Sequence, residues 1–522
     1  MANKNIFKPA KGRNNVKAAD TLNEAGGKAY SMDPKEALAQ MVSTGTISNT
    51  FYASAGEQLE MIKDLASKCS SKFLLKLAYC ARHAAWMKDT PALLLAIIAG
   101  RKEYPENYDE VFIKTLDNGR MIRNFVQMIL SGQLGRTNMG SRPKRLLKVW
   151  FKLRDDDRLL NDSVGNDPSI RDIINLSHPA PRDKQQEALF KYLLGKEYNY
   201  DNLPHRVKVL EEWRKGKKDK DPSGIEFRML TDLSLTLPDW KRIVKGMGPH
   251  ALRINLRNLH EKGVFGDEEI VDFVAEKLRN EEAIQRSRTM PYQLFAAYKF
   301  GGELPRKIVN ALHDSVDISM ANVPNLGKTL ICLDISSSMT SPVTGQGNQS
   351  KISCMDVAAL MAAMIVKKSD GKVIEFNGEA RLVKGLEPRD TTFSIAKQLA
   401  RPSGGTNCSS AMRLAISEHI KADTVIFLSD NQSWADFHNR GLRVGWSSGT
   451  GLAEEWKNYK NKVNKNAKIV LIDLQPYSTT QMPTDNDVLN VGGFNDSVMD
   501  VIANFVAHKK NWVESIENVQ LV

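Results

Sequence analysis

The chain has 522 residues, 42% of them hydrophobic and 26% charged, too long for one ordinary core and typical of a soluble globular protein of two or three domains. Its net charge of +12 falls almost entirely within residues 1–320, so a basic region joined to a near-neutral one points to a polyanion partner for the first. Five cysteines without Cys-x-x-Cys spacing argue against a zinc site or disulfide framework and for a reducing, cytoplasmic setting, and no apolar run reaches the ~20 residues of a membrane span.

The start, MANKNIFKPAKGRNNVK, is basic and lacks the apolar core of a secretory signal, so residues 1–28 are expected to form a flexible arm. Lys4, Lys8, Lys11, Arg13 and Lys17 could touch nucleic acid there or simply be solvated. Residues 29–320 then read as helix after helix. Apolar residues at helical spacing predict helices over 34–44, 56–66, 71–87, 90–99, 118–130, 143–153, 183–194, 205–213, 238–245, 249–260, 267–278, 291–300 and 305–316. The rhythm of short helices suggests a repeat array with a long binding surface.

Within this region residues 141–154 read SRPKRLLKVWFKLR. Arg142, Lys144, Arg145, Lys148 and Lys152 are basic, no acid lies in the stretch, and the three lysines share one helical face. Such a row suits a phosphate backbone, the plain alternative being a solvated face. Residues 171–182, RDIINLSHPAPR, carry Arg171 and end a helix at His178, before Pro179, where a histidine ordinarily caps or packs. The basic loop 214–220, RKGKKDK, reads as a solvated turn first and a phosphate patch second.

Residues 321–328, ANVPNLGK, form the expected linker. Beyond it, strands predicted over 329–333, 372–376, 424–429 and 468–473 alternate with helices over 353–367 and 408–419, which argues for an α/β doubly wound, Rossmann-like domain over 329–522. The first strand ends in Asp334-Ile335-Ser336-Ser337-Ser338, placing Asp334, Ser336 and Ser338 on one turn. Thr406 follows Gly404 and Gly405, and Asp430 ends the third strand. These are oxygen donors, the kind a hard divalent cation prefers, beyond the carboxyl ends of strands where such sheets bind ligands. The alternative is that the acids only cap helices or accept backbone bonds. Cys408 is either a thiol near that site or a small buried residue.

The three loops resemble the metal-ion-dependent adhesion site of von Willebrand factor A domains. That resemblance implies Ser336, Ser338 and Thr406 on the metal, Asp334 and Asp430 acting through water, and an open position for a partner's carboxylate. The whole chain resembles the TROVE-domain family of the Ro autoantigen and its bacterial orthologues, through residues 37–52 (ALAQMVSTGTISNTFY), 87–95 (MKDTPALLL), 172–179 (DIINLSHP), 291–298 (PYQLFAAY) and the metal loops. Two features depart from the pattern: Asn407 brings no carboxylate after Thr406, and an insertion over 341–350 lengthens the segment after the first loop.

The family resemblance implies an all-α ring of HEAT-like helical repeats followed by the von Willebrand factor A-like domain. It also implies an RNA-binding quality-control or ribonucleoprotein scaffold rather than an enzyme. Its expected ligands are Y RNA-like small noncoding RNA and the 3′ single-stranded ends of misfolded RNA, with Arg142, Lys144, Arg145, Lys148, Lys152, Arg171 and His178 as contacts. The expected cofactor is Mg²⁺, with Mn²⁺ as the alternative; a protein partner such as an exoribonuclease would use the metal site, and the chain would act as a monomer. The competing expectation is a metal-dependent interaction module that recruits an acidic partner. A metal nuclease is disfavoured, because the donors are mainly hydroxyls around one metal and no general base stands nearby.

Overall fold

The computed structural model describes residues 16–23, 27–43, 55–343, 351–430, 449–475, 479–494, 498–507 and 512–521. The chain divides into two compact units, one of residues 60–322 with 516–522, the other of residues 1–59 with 323–515.

The first unit is helical. Pro291–Phe300 begins and ends as the periodicity predicts, and most other helices shift by a few residues. The caps explain the shifts. Asn118, Asp183 and Asp267 stand just outside their helices and each accepts a hydrogen bond from the backbone N–H three residues on. Pro238, Pro249 and Pro291 sit in first turns, where a missing N–H costs nothing. The helix Asp89–Arg101 is buried from Thr90 to Ala99, which explains why its sequence is apolar all round. Short helices at Tyr108–Thr115, Asp156–Asp162, Arg228–Thr231 and Glu281–Arg286 escape the pattern, and of Ile170–Ser177 only the end is legible, because about two turns or fewer display too little periodicity. Early and late parts of this unit meet: the Arg288 guanidinium stands 5.9 Å over the Trp86 ring.

The second unit holds two sheets. Strands β1 (Thr21–Leu22), β2 (Lys28–Ser31) and β8 (Thr479–Thr480) make a small antiparallel sheet. The main sheet contains β3 (Lys328–Asp334), β4 (Asp370–Phe376), β5 (Ala380–Leu382), β6 (Thr424–Ser429), β7 (Lys468–Asp473) and β9 (Val488–Gly492) in the order β5-β4-β3-β6-β7-β9. Every pairing in it is parallel except that of the edge strand β5 with β4. From β3 the chain runs through the helix Cys354–Lys368 to β4 on one side. It then returns through Thr392–Leu399 and Cys408–Ser417 to β6 on the other side of β3. The carboxyl ends of β3 and β6 therefore flank the point where strand order reverses, the place such sheets reserve for ligands.

The N-terminal boundary differs from the sequence expectation. For the described residues 16–23 and 27–43, the expected flexible arm over 1–28 and helical domain from residue 29 give way to strands and a helix that belong to the sheet unit. Strand β2 pairs with β8. Tyr30 is fully buried in one cluster with Leu330, Phe376, Phe427 and Trp456, and its hydroxyl donates to the Lys17 carbonyl at 2.7 Å. The helix Pro34–Ser43 packs on β9. The reason is non-local: a four-residue strand carries no signal of a partner more than 400 residues away. Lys4, Lys8, Lys11, Arg13 and residues 344–350 lie outside the described residues.

Candidate metal centre and nucleic-acid surface

The metal candidates lie where the switch point places them. Asp334 ends β3 fully buried, and Ser336, Thr406 and Asp430 are 1–2% exposed. Asp334 Oδ1 accepts the Ser336 backbone N–H at 2.8 Å, and Oδ2 accepts the Ser429 hydroxyl at 2.6 Å, which fixes the carboxylate between the first loop and the end of β6. The Ser336 and Ser338 hydroxyls stand 3.0 Å apart. The loop bearing Thr406 is laced to the first by Ser337 N–H to the Gly404 carbonyl at 2.9 Å and Ser403 N–H to the Ile335 carbonyl at 2.5 Å. Gly404 permits this approach: its φ is +80°, and a Cβ there would stand 3.0 Å from the Asn377 amide nitrogen. The structure thus brings together the three loops that carry the five residues.

Two acids buried this close disfavour each other's charge. Burial first, then the like charge of Asp430, pushes the Asp334 carboxyl up to about 7, against the opposing pull of its bonds to Ser429 and Ser336. A cation held between them would remove that penalty. The donor set of carboxylates and hydroxyls is the kind that would suit a hard divalent ion. Cys408 belongs to the hydrophobic core of the sheet unit, 2% exposed, the small-residue role of its two alternatives. Asn407 is also buried, and its side-chain oxygen accepts from Ser409 at 2.9 Å, so it braces the loop from behind.

The basic stretch forms the helix Ser141–Leu153, anchored by Pro143, Leu146, Leu147, Trp150 and Phe151. The expected row of five unpaired cations is only partly present. Arg142 and Arg145 both pair with Asp109, at 2.7 and 2.5 Å, and the Arg142 guanidinium stacks 4.5 Å over Tyr104. Asp109 belongs to a helix more than 30 residues earlier, so no local pattern announces it. Lys144, Lys148 and Lys152 have no carboxylate within ion-pair distance among the described residues, and Lys148 and Lys152 are exposed.

Arg171 and His178 stand at opposite ends of the helix Ile170–Ser177, both exposed. His178 is its C-cap at φ 50°, with its backbone N–H bonded to the Ile174 carbonyl at 2.8 Å and its imidazole turned to solvent. Capping and availability for a ligand coexist in this residue. Arg182, which sequence reasoning left without a role, joins the two basic segments. It donates to the Lys152 and Arg154 carbonyls at 3.3 and 3.1 Å and pairs with Asp156 at 3.1 Å. The loop after His178 is thereby fastened over the carboxyl end of the lysine-bearing helix.

Comparisons with known proteins agree with this architecture. The TROVE domain matches residues 169–368 and the Ro60 vWA domain residues 328–506. The RNA-binding protein RO60 of Deinococcus radiodurans is 24% identical over 522 aligned residues, covering 92% of this chain and 94% of that protein. The RNA-binding protein RO60 of Caenorhabditis elegans is 26% identical over 273 residues, 49% of this chain and 40% of that one. The crystal structure of the Deinococcus radiodurans RO (RSR) protein superposes with a TM-score of 0.65 at 21% identity, over 91% of this chain and all of that one, a likeness of fold.

Proposed function

The chain belongs to the TROVE-domain family and carries a C-terminal von Willebrand factor A-like domain, and we propose that it is an RNA-binding protein that holds small structured noncoding RNA and the 3′ single-stranded ends of misfolded RNA. In this reading it scaffolds a ribonucleoprotein or a quality-control step and catalyses nothing itself. The observation that carries it is the row Lys144, Lys148, Lys152, left without carboxylate partners among the described residues on a helix clamped beside His178. Lysines are mobile point charges, suited to tracking phosphates rather than reading bases. A duplex would be recognised by shape, and a single-stranded end would enter the hole of a HEAT-like ring.

The sheet unit would bind Mg²⁺, or Mn²⁺, through Asp334, Ser336, Ser338, Thr406 and Asp430. When bound, the cation supplies a positive centre for an acidic side chain of a protein partner such as an exoribonuclease. The buried like-charged pair Asp334 and Asp430 favours this second activity alongside the first.

The test is the salt-dependent affinity of the full chain for a structured RNA with a single-stranded 3′ tail and for the same RNA blunt-ended. Wild type and the Lys144→Ala/Lys148→Ala/Lys152→Ala variant are compared. Tight binding that favours the tail, with a salt slope lower by roughly 2 in the variant, is expected for three lost phosphate contacts. Weak binding indifferent to tail and variant would leave the metal-dependent interaction module as the better account.

A further inference from the structure

We propose that Tyr200, with Lys208 and Lys215, is a stacking platform for an unpaired nucleobase and its phosphate, distinct from the helix Ser141–Leu153; the proposal rests on the RNA-binding reading above. The loop 214–220 holds five cations, and the structure sorts them. Arg214 pairs with Glu211 at 2.9 Å and donates to the Tyr192 hydroxyl at 2.7 Å. Lys218 pairs with Asp239 and Lys220 with Glu212, each at 2.9 Å. Lys215 and Lys217 have no carboxylate within ion-pair distance among the described residues, and both are exposed.

The Lys215 ammonium stands 5.8 Å from the centroid of the Tyr200 ring, and the Lys208 ammonium is also 5.8 Å from it. The two lysines are seven residues apart, two turns, on one side of the helix His205–Arg214 and its C-cap. Lys208 donates to the Asp201 carbonyl at 2.7 Å, a neutral acceptor that positions the ammonium without cancelling its charge. Tyr200 is 39% exposed. Its ring projects from the short turn Tyr200–Asn202, which is held by Asn199 capping Asp201 at 2.9 Å and by Leu203 N–H on the Tyr200 carbonyl at 3.1 Å.

A surface tyrosine shaded by one lysine stem is ordinary packing. Here two ammoniums each stand 5.8 Å from the centroid of one exposed, pre-positioned ring, and an anion bound beside the ring would meet both charges. A nucleotide supplies both halves of the complement: a base with a π-face for the ring and a phosphate for the ammoniums. Lysines, unlike arginines, offer no planar fork, so the platform tolerates any sequence. An acidic peptide would satisfy the charges but would not need the ring.

The experiment uses the full chain and a hairpin RNA with an unpaired tail, the same hairpin with an abasic tail, and the blunt hairpin, read by fluorescence anisotropy. Tyr200→Ala is expected to weaken the tailed RNA about 5- to 100-fold and to leave the blunt hairpin unchanged. Tyr200→Phe keeps wild-type affinity, because the ring and not the hydroxyl stacks. On wild type the abasic tail binds as weakly as the tailed RNA binds Tyr200→Ala; this arm alters no protein residue, so misfolding cannot mimic it. Lys208→Ala/Lys215→Ala lowers the salt slope by about 1.4. Abasic and base-bearing tails of equal affinity would overturn the platform. So would a Tyr200→Ala variant that binds as wild type while the Lys144/Lys148/Lys152 variant is weakened, and there the RNA-binding reading would stand. Wild type that binds none of the three RNAs would end both. Competition by a poly-glutamate peptide, unaffected by Tyr200→Ala, would move the site to an acidic protein.

Discussion

At the scale of single residues, Asp334 carries a consequence for pH. In the folded, metal-free chain burial and Asp430 lift its carboxyl from 3.8 to about 7, so the native state keeps a proton that the unfolded chain releases. Stability therefore falls as pH rises from about 4 toward 7, and the fall ends above the folded value. A divalent cation bound there would replace that proton. With a chelator present, the melting temperature of the sheet unit is expected to drop across this window; with saturating Mg²⁺ the drop disappears, and Asp334→Asn removes both behaviours. A chelated protein whose melting curve ignores pH would refute the arrangement. Asp109 carries a second prediction, because it neutralises Arg142 and Arg145 at once. Asp109→Ala should steepen the salt dependence of RNA binding by up to about 2 and tighten binding at low salt, while costing roughly 1 kcal/mol or less of stability, as partly exposed ion pairs do. An unchanged slope would show that neither arginine faces RNA. The loops carrying the candidate metal ligands were legible in the sequence because short motifs hold their own donors. Asp109 was not, since only folding brings it to the basic helix.

At the scale of one element, the helix Ile170–Ser177 is fixed at both ends. A capping box joins Ser169 and Asp172, with bonds of 3.1 and 2.9 Å, and the Ser169 bonds hold the Asp172 carboxyl below its ordinary range. Ser169→Ala is expected to cost about 1 kcal/mol by thermal melting. At the other end His178 sits at φ 50°, where glycine is easier by about 1 kcal/mol than alanine. His178→Gly should therefore keep or raise stability and still lose RNA affinity, whereas His178→Ala should lose both. Equal RNA affinity in wild type and the glycine variant would reduce His178 to a cap. The sequence placed the end of this helix through Pro179, but the start went unread, because two turns give no sustained period.

At the scale of the whole chain, residues 16–23 and 27–43 are structural parts of the sheet unit. Tyr30 fills its core, so Tyr30→Phe should cost about 1 kcal/mol for the lost bond to the Lys17 carbonyl and Tyr30→Ala about 3–5 kcal/mol, measured on the sheet unit's unfolding transition. An effect confined to the helical unit's transition would contradict the placement. The sequence by itself determined the order of helices then alternating strands and helices, the three loops that carry the candidate metal ligands, and the lysine row on one helical face. Each depends on periodicity or spacing within about twenty residues, where chemistry and geometry are local. Tertiary structure alone decided that Arg142 and Arg145 are neutralised while Lys148 and Lys152 meet no carboxylate among the described residues, that Arg182 fastens the His178 loop, that Tyr200 gathers two lysines, and that the first strands complete a sheet with β8. Those outcomes depend on which distant groups meet, and charge pairing and strand pairing act through space rather than along the chain.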